Sequence, residues 1–303
     1  MIARRHLLAG CAATLLVPPS VGAAAAQQPA RITILFDAFG KPSDLQRGWG
    51  YSAFIEYGGR RILFDTGSRG AGFAYNAKAL GIDLKKLDFV VLSHRHNDHT
   101  AGLNHVLDEN PGVTIYTPLE VAGFGSPTPP ALMNLINRHV ASVPDELRYF
   151  GGNPPPASSS EPPWSNATFT HIKETTEVLP GFVLFPTLST TPGTMEMNEI
   201  SLLIKTPRGG VLVVGCSHPG IAKIVEAAAK IDPRVHAIFG GFHLVDVSDV
   251  QVTELVTALR DRWHVERMAA GHCTGQFAFA ELVRIFGNRF DFAGVGSVIP
   301  LPL

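Results

Sequence analysis

Three histidines and one carboxylate fall within six residues, at positions 94–99, and this cluster constrains the fold more than any other feature of the chain. The four residues before Ser93, at positions 89–92, are apolar and partly β-branched. A short run of this kind is typical of a buried strand. The cluster is therefore predicted to lie where a central strand ends and a loop begins, which is where sites collect in open α/β architectures.

The residue types in this cluster indicate metal binding. His94 and His96 are two residues apart, so their side chains point the same way on an extended chain, and Asp98 and His99 follow on the turn. Neutral imidazole and carboxylate are ligands of Zn²⁺, Fe and Mn²⁺. Four such groups within six consecutive residues are too close in the chain to converge on one tetrahedral ion. They favour two metal ions, roughly 3.5–4 Å apart, over a solvated loop or a hydrogen-bonded turn.

A later strand end also carries metal-capable side chains. Cys216 and His218 follow the apolar run 211–215, and His218 is favoured as a ligand. Ser217 or His218 is predicted to cap the helix that begins at Pro219.

Two further predicted strands end on candidate site residues. His272 is a candidate ligand, with Cys273 as a packed thiol beside it, and His243 is an acid, a base, a substrate contact or a core histidine. Cys216 and Cys273 could instead pair as a disulfide in an oxidising compartment, which would argue against contact between either sulfur and a metal.

The order of the predicted elements indicates two sheets with helices outside them. Residues 51–57 and 61–64 are extended runs around two glycines, which is typical of a hairpin. A second series of strands begins at residue 168, with helices between and after the strands. Two sheets packed face to face and covered by helices use this pattern best. The sequence thus predicts an α/β fold with one domain at residues 31–303.

Two stretches in the middle of the chain have a different composition. A short amphipathic helix is predicted at residues 131–140. Residues 151–164 are rich in Pro, Ser and Gly, and they are interpreted as a surface excursion or lid, with a domain linker as the alternative.

Residues 1–26 are predicted to be a signal peptide. Arg4 and Arg5 precede an apolar stretch and a run of alanines, which matches a secretory signal, and the paired arginines indicate the twin-arginine type. The apolar stretch is too short, and too interrupted by prolines, for a membrane span. The mature protein is therefore predicted to be periplasmic or secreted, with a lipoprotein anchored at Cys11 as the alternative.

The charge of the chain gives no sign of a polyanionic partner. The formal net charge is −1 and no block of like charge occurs. This pattern argues against nucleic acid or an anionic membrane surface as a partner. A small-molecule substrate is expected, and the oligomeric state stays open.

Residues 63–67 together with 94–99 resemble the signature of the metallo-β-lactamase superfamily. The later segments are similar to a branch called 7,8-dihydropterin-6-methyl-4-(β-D-ribofuranosyl)aminobenzene-5′-phosphate synthase-like, and these segments are residues 50–56, 198–202, 215–221, 240–244 and 272–275. The resemblance covers the chain from about residue 31 to its end. It implies an αββα four-layer sandwich with a dinuclear metal site on one edge.

The resemblance also implies a role for individual residues. His94 and His96 would hold the first metal, and Asp98, His99 and His272 would hold the second. Asp65 would orient a ligand from behind.

Two positions depart from the superfamily pattern. The third ligand of the first metal would be Glu199 or His218, because no histidine has the expected context earlier in the chain. Cys216 occupies the strand end where the superfamily normally has a bridging Asp. Asp98, while ligating, could manage a proton.

The leading prediction is an exported metal-dependent hydrolase that holds zinc, most simply as two ions, with Fe or Mn as alternatives. A metal-activated water would attack an ester, lactone, lactam or phosphoester. The first alternative is a transferase, following the synthase name of the branch, and the second is a metal- or ligand-binding protein without turnover.

Overall fold

The computed structural model describes residues 29–119, 140–152, 164, 167–191 and 196–301. The predicted signal peptide lies outside these ranges, as do residues 131–139 of the predicted amphipathic helix. Most of the Pro/Ser-rich stretch, residues 153–163, lies outside them as well.

The described strands form two sheets. The strands of the first sheet are β1 (Arg31–Phe36), β2 (Ser52–Tyr57), β3 (Arg60–Phe64), β4 (Phe89–Val91), β5 (Thr114–Pro118), β6 (Phe169–Ile172) and β13 (Val298–Pro300), in the order β13-β1-β2-β3-β4-β5-β6. The strands of the second sheet are β7 (Thr176–Leu179), β8 (Phe182–Thr190), β9 (Glu196–Thr206), β10 (Gly209–Val214), β11 (Val235–Gly241) and β12 (Arg267–Gly271), in the order β12-β11-β10-β9-β8-β7. The second sheet therefore begins one strand later in the chain than the second series of predicted strands, because β6 pairs with β5 and belongs to the first sheet.

Helices cover the outer face of each sheet. They are α1 (Gly70–Ala79), α2 (Asn97–Thr100), α3 (Leu103–Glu109), α4 (Ile221–Ala229), α5 (Asp249–Asp261) and α6 (Gln276–Phe286). Apolar residues of α1 and α3 pack on the first sheet, and those of α4, α5 and α6 pack on the second. In the described residues, none of these helices has the length and apolar character needed to cross a membrane.

The central strands are apolar on both faces because each is covered on both sides. In β10, Val211 and Val213 point into the core between the sheets, whereas Leu212 and Val214 point toward the helices. One apolar core lies between each sheet and its helices, and another lies between the two sheets. The architecture therefore has four layers in the order αββα.

Parallel pairing brings several strand ends to one edge of the sandwich. The strands β3 and β4 are parallel, as are β10, β11 and β12. The carboxyl ends of parallel strands lie at the same edge of a sheet. The two sheets approach closely here at Gly215, where an added Cβ would meet the Ser93 hydroxyl and lie 3.1 Å from Asp65 Oδ2.

Candidate metal centre

The cluster at residues 94–99 begins extended and then turns into a helix. His96 has extended φ and ψ angles and precedes the single turn of α2, which carries Asp98 and His99. The segment after β3 holds this turn, since the Thr66 amide donates to the His99 carbonyl at 2.7 Å. The second sheet contributes as well, because the Ile200 amide donates to the Ser93 carbonyl at 2.8 Å.

The first donor group comprises His94, His96 and His218, whose candidate ligand atoms all lie within 4.8 Å of one another. His96 Nδ1 lies 3.1 Å from His218 Nε2. His94 Nε2 is buried without a hydrogen-bond partner among the described residues. Three converging imidazole nitrogens, one of them without a partner, fit a divalent cation of the zinc type.

The second donor group comprises Asp98, His99, Cys216 and His272, again with ligand atoms within 4.8 Å of one another. Cys216 Sγ lies 3.1 Å from His99 Nε2 and 3.1 Å from His272 Nε2. Asp98 Oδ2 lies 3.4 Å from His272 Nε2. Carboxylate, thiolate and imidazole together form a set of four ligands that suits zinc.

The two donor groups are neighbours. The rings of His94 and His99, one from each group, have centroids 4.2 Å apart. The structure thus brings together all six residues predicted as ligands, from His94 to His272, and adds Cys216 to the second group.

Cys216 and Cys273 are free thiols in the structure, so the disulfide that the sequence allowed between them is not formed. Cys216, His243 and Cys273 form a third set of close donor atoms, which shares Cys216 with the second group. Burial alone would raise the pKa of Cys273, but a hydrogen bond with Cys216 and the charge of His272 hold it well below the ordinary value.

Asp65 contacts the ring nitrogen of His99 that faces away from the other ligand atoms, which agrees with the orienting role that the resemblance implies. Its Oδ2 lies 2.6 Å from His99 Nδ1 and accepts from the Ser93 hydroxyl at 2.7 Å. The Ser93 hydroxyl is also 2.8 Å from His94 Nδ1. A proton on Nδ1 of His99 would leave its Nε2 lone pair free for a metal.

Glu199 lies outside both donor groups, although the sequence offered it as an alternative third ligand of the first metal. Its two oxygens accept the backbone amides of Cys216, Ser217 and His218 at 3.0, 2.7 and 2.9 Å. The structure therefore places His218, and not Glu199, beside His94 and His96. Burial raises the pKa of Glu199 to about 7, and the amides of Ser217 and His218 act against the rise.

Sequence reasoning missed two residues beside the second group. Asp37, directly after β1, accepts the His272 amide at 3.0 Å, and burial raises its pKa to about 7. Trp49 packs against the His272 ring with centroids 4.8 Å apart. Asp37 had a detectable signal, since it follows an apolar strand in the same way as Asp65 and Ser93 do.

The electrostatics of the first donor group favour ligation. Burial lowers the pKa of His94 well below its ordinary value, and the neighbouring histidines lower it further, so this imidazole is neutral. The pKa of His218 is lowered well below its ordinary value by burial and by His243 and His96. Neutral imidazole is the form that binds a metal.

The backbone around the centre is strained. Among the described residues other than glycine, six have positive φ, and four of these lie at the centre: Asp65, Ser217, His243 and His272. Such conformations persist only when the surrounding structure enforces them, and they cluster at functional sites.

A cavity of about 530 Å³ opens beside the first donor group. His218, His243, Asp246 and Phe242 line it, together with the residues that begin α4. The rings of His218 and His243 have centroids 4.5 Å apart. His243 is partly exposed, whereas the ligand candidates are buried, so its ring is more accessible from the cavity than that of His218.

Comparison with known proteins places the chain among relatives of one fold. The family described as the metallo-beta-lactamase superfamily matches residues 47–242 of the sequence, which include the cluster and His218. The chain is 30% identical over 277 residues to 7,8-dihydropterin-6-methyl-4-(beta-D-ribofuranosyl)-aminobenzene-5'-phosphate synthase of Methanocaldococcus jannaschii, an alignment that covers 87% of this chain and 93% of that protein.

Two solved structures are similar in fold. A metal-dependent hydrolase of the beta-lactamase superfamily superposes with a TM-score of 0.66 at 24% identity, over 90% of this chain and 99% of that one. A metallo-beta-lactamase fold protein of Bacillus subtilis superposes with a TM-score of 0.53 at 13% identity, over 90% and 99%. The predicted αββα sandwich is confirmed.

Proposed function

This chain belongs to the metallo-β-lactamase superfamily, and on that basis we propose that it is a metal-dependent hydrolase of a small molecule with an ester, lactone, lactam or phosphoester group. The observation that carries the proposal is the convergence of two donor groups, one of three imidazoles and one of four mixed ligands, beside a cavity. Two adjacent metal sites suit an attack by water on a carbonyl or phosphorus centre.

Two zinc ions are the proposed occupants, with Fe or Mn as alternatives. His94, His96 and His218 would hold the first ion, and Asp98, His99, His272 and Cys216 the second. Ions at these positions would supply Lewis acidity, which makes water a nucleophile near neutral pH and stabilises negative charge on the substrate oxygen.

The protein's own residues would position the substrate and the attacking water. Asp98 is buried, and the charges of His99 and His272 outweigh the effect of burial and lower its pKa, so it stays ionised and would accept a hydrogen bond from that water. The non-reacting part of the substrate would lie in the cavity, against Phe242 and Leu244, with His243 facing it.

A transferase is the second candidate, because the relative at 30% identity is named a synthase. A binding protein without turnover is the third. The paired arginines at positions 4 and 5 support export to the periplasm, with a lipid anchor at Cys11 as the alternative. Cell fractionation of the full chain tests export: wild type should appear in the periplasm, and a variant with both arginines replaced by lysine should stay in the cytoplasm.

The function is tested with zinc-loaded protein and four chromogenic or fluorogenic probes, one each for ester, lactone, lactam and phosphodiester hydrolysis. The wild type should hydrolyse at least one probe. His94→Ala should lose that activity and the metal of the first donor group, whereas His171→Ala, a replacement of an exposed histidine on β6, should retain the activity and both metals.

The outcomes separate the candidates. Hydrolysis by His94→Ala at the wild-type rate would refute the assignment of the site. Two bound metals without hydrolysis of any probe would instead favour the transferase or the binding protein.

A further inference from the structure

We propose that Glu199 is a positioning residue of the metal centre, whose buried carboxylate fixes the Cys216–His218 loop so that His218 completes the first donor group. The proposal rests on the metal centre of the proposed function and not on its reaction.

Among the described residues, the hydrogen bonds of the Glu199 side chain all go to this loop. Glu199 lies on β9, opposite Thr187 of β8, and its side chain is fully buried. Its Oε1 accepts the amides of Cys216 and Ser217, and its Oε2 accepts the amide of His218. Three consecutive amides that converge on one carboxylate form an anion-binding concavity, here filled by a side chain of the protein itself.

The loop needs this acceptor because its backbone is strained. Ser217 has a φ of 64°, a conformation that residues other than glycine adopt only where neighbours enforce it. Without the carboxylate, three buried amides would lose their acceptor. The loop would then relax, and His218, four residues beyond the end of β10, would move more than Cys216, which is two residues beyond it.

Glu199 also faces the ring of His218. His218 Nε2 points toward His96, at 3.1 Å from its Nδ1. The other nitrogen, Nδ1, is buried without a hydrogen-bond partner in the described part of the chain and lies 3.8 Å from Glu199 Oε2. A metal on Nε2 requires the proton on Nδ1, and the carboxylate at 3.8 Å, although too far for a hydrogen bond, would attract that N–H by its charge, in a variant of the carboxylate–histidine–metal arrangement.

Other roles for Glu199 fit the contacts less well. As a ligand it would have to release amide donors, and it belongs to neither donor group. As a catalytic base it would need contact with the substrate, but it is fully buried and does not line the cavity beside His218.

The test compares Glu199→Gln with Glu196→Gln, an exposed position on the same strand. Glutamine has the same shape, but its NH₂ group must face at least one amide N–H of the loop. We expect Glu199→Gln to fold and to bind the first metal about 10- to 100-fold more weakly, the range typical of partners behind a ligand. Glu196→Gln should match the wild type.

Zinc affinity is measured by competition with a chelating dye, and cobalt(II) distinguishes the two sites. Only cobalt beside Cys216 gives a thiolate-to-cobalt absorption band, so the band reports the second site and the remaining cobalt reports the first. Neither readout depends on hydrolysis, so a failure of the hydrolase proposal leaves the result for Glu199 intact.

Wild-type affinity at the first site in Glu199→Gln would overturn the proposal. An equal loss at both sites, with a lower melting temperature of the metal-free protein, would also overturn it, because it would indicate a general structural role. If Glu199→Gln does not fold, Glu199→Asp, which keeps the charge but withdraws it from the loop, should fold and show the weakened first site. Wild-type affinity or failure to fold in that variant would refute the proposal.

Discussion

The two donor groups differ in charge although they are neighbours. The first consists of three imidazoles, which the lowered pKa values of His94 and His218 keep neutral. The second contains the Asp98 carboxylate and the Cys216 thiol. A divalent ion would keep its full charge in the first group, whereas two anions would neutralise it in the second. An ion held by the first group would therefore be the stronger Lewis acid, and the second group would be the one to prefer thiophilic metals.

The groups also differ in how they are held. Ser93 contacts His94 of the first group, and Asp65 contacts His99 of the second. Glu199 holds the loop that carries Cys216 and His218. Asp37 contacts only the second group, through the His272 amide. Replacement of these residues should therefore affect the two sites to different extents.

The largest difference between the sites is expected from Cys216→Ser. Loss of the sulfur should abolish the thiolate-to-cobalt band and weaken the second site by more than about tenfold, the lower end of the effect of residues that only support a ligand. The first site should keep its affinity, since Cys216 does not belong to it. Absorption titration with cobalt(II) measures both effects.

Cys273→Ser is the matched control for this variant. Cys273 is a buried thiol close to Cys216 but outside the second group, so the band should persist. A band that survives in Cys216→Ser and disappears in Cys273→Ser would show that the assignment of the sulfur ligand is wrong.

A smaller effect is expected from Asp37→Asn. Both carboxylate oxygens of Asp37 accept the His272 amide, and asparagine keeps only one acceptor oxygen. His272 would then be held less firmly, so the metal affinity of the second site should fall by about tenfold. Zinc competition should show an unchanged first site. Asp44→Asn, at an exposed position in the same loop region, should leave both affinities at the wild-type value. Equal weakening of both sites would contradict the separate support of the two groups.

The sequence predicted the parts of this centre that are local, and the rest depended on the tertiary fold. The four groups at residues 94–99 were readable because they share one strand end, and the αββα sandwich followed from the resemblance. The role of Glu199 was not readable, because it depends on the backbone conformation that directs three amides to one point. Asp37 was missed because β1 and β12, whose ends meet at His272, belong to different sheets and lie far apart in the chain.

The smallest effect is expected from Ser93→Ala, which tests the support of the first group. The Ser93 hydroxyl lies between Asp65 Oδ2 and His94 Nδ1, and its loss leaves the Ser93 amide still bound to Asp65 Oδ1 at 2.7 Å. His94 would lose one partner but stay packed, so first-site affinity should fall by up to about tenfold. Zinc competition measures this, with Ser43→Ala at an exposed position as the control. A loss confined to the second site would mean that Ser93 acts through Asp65 and His99, and the two groups would then share one support.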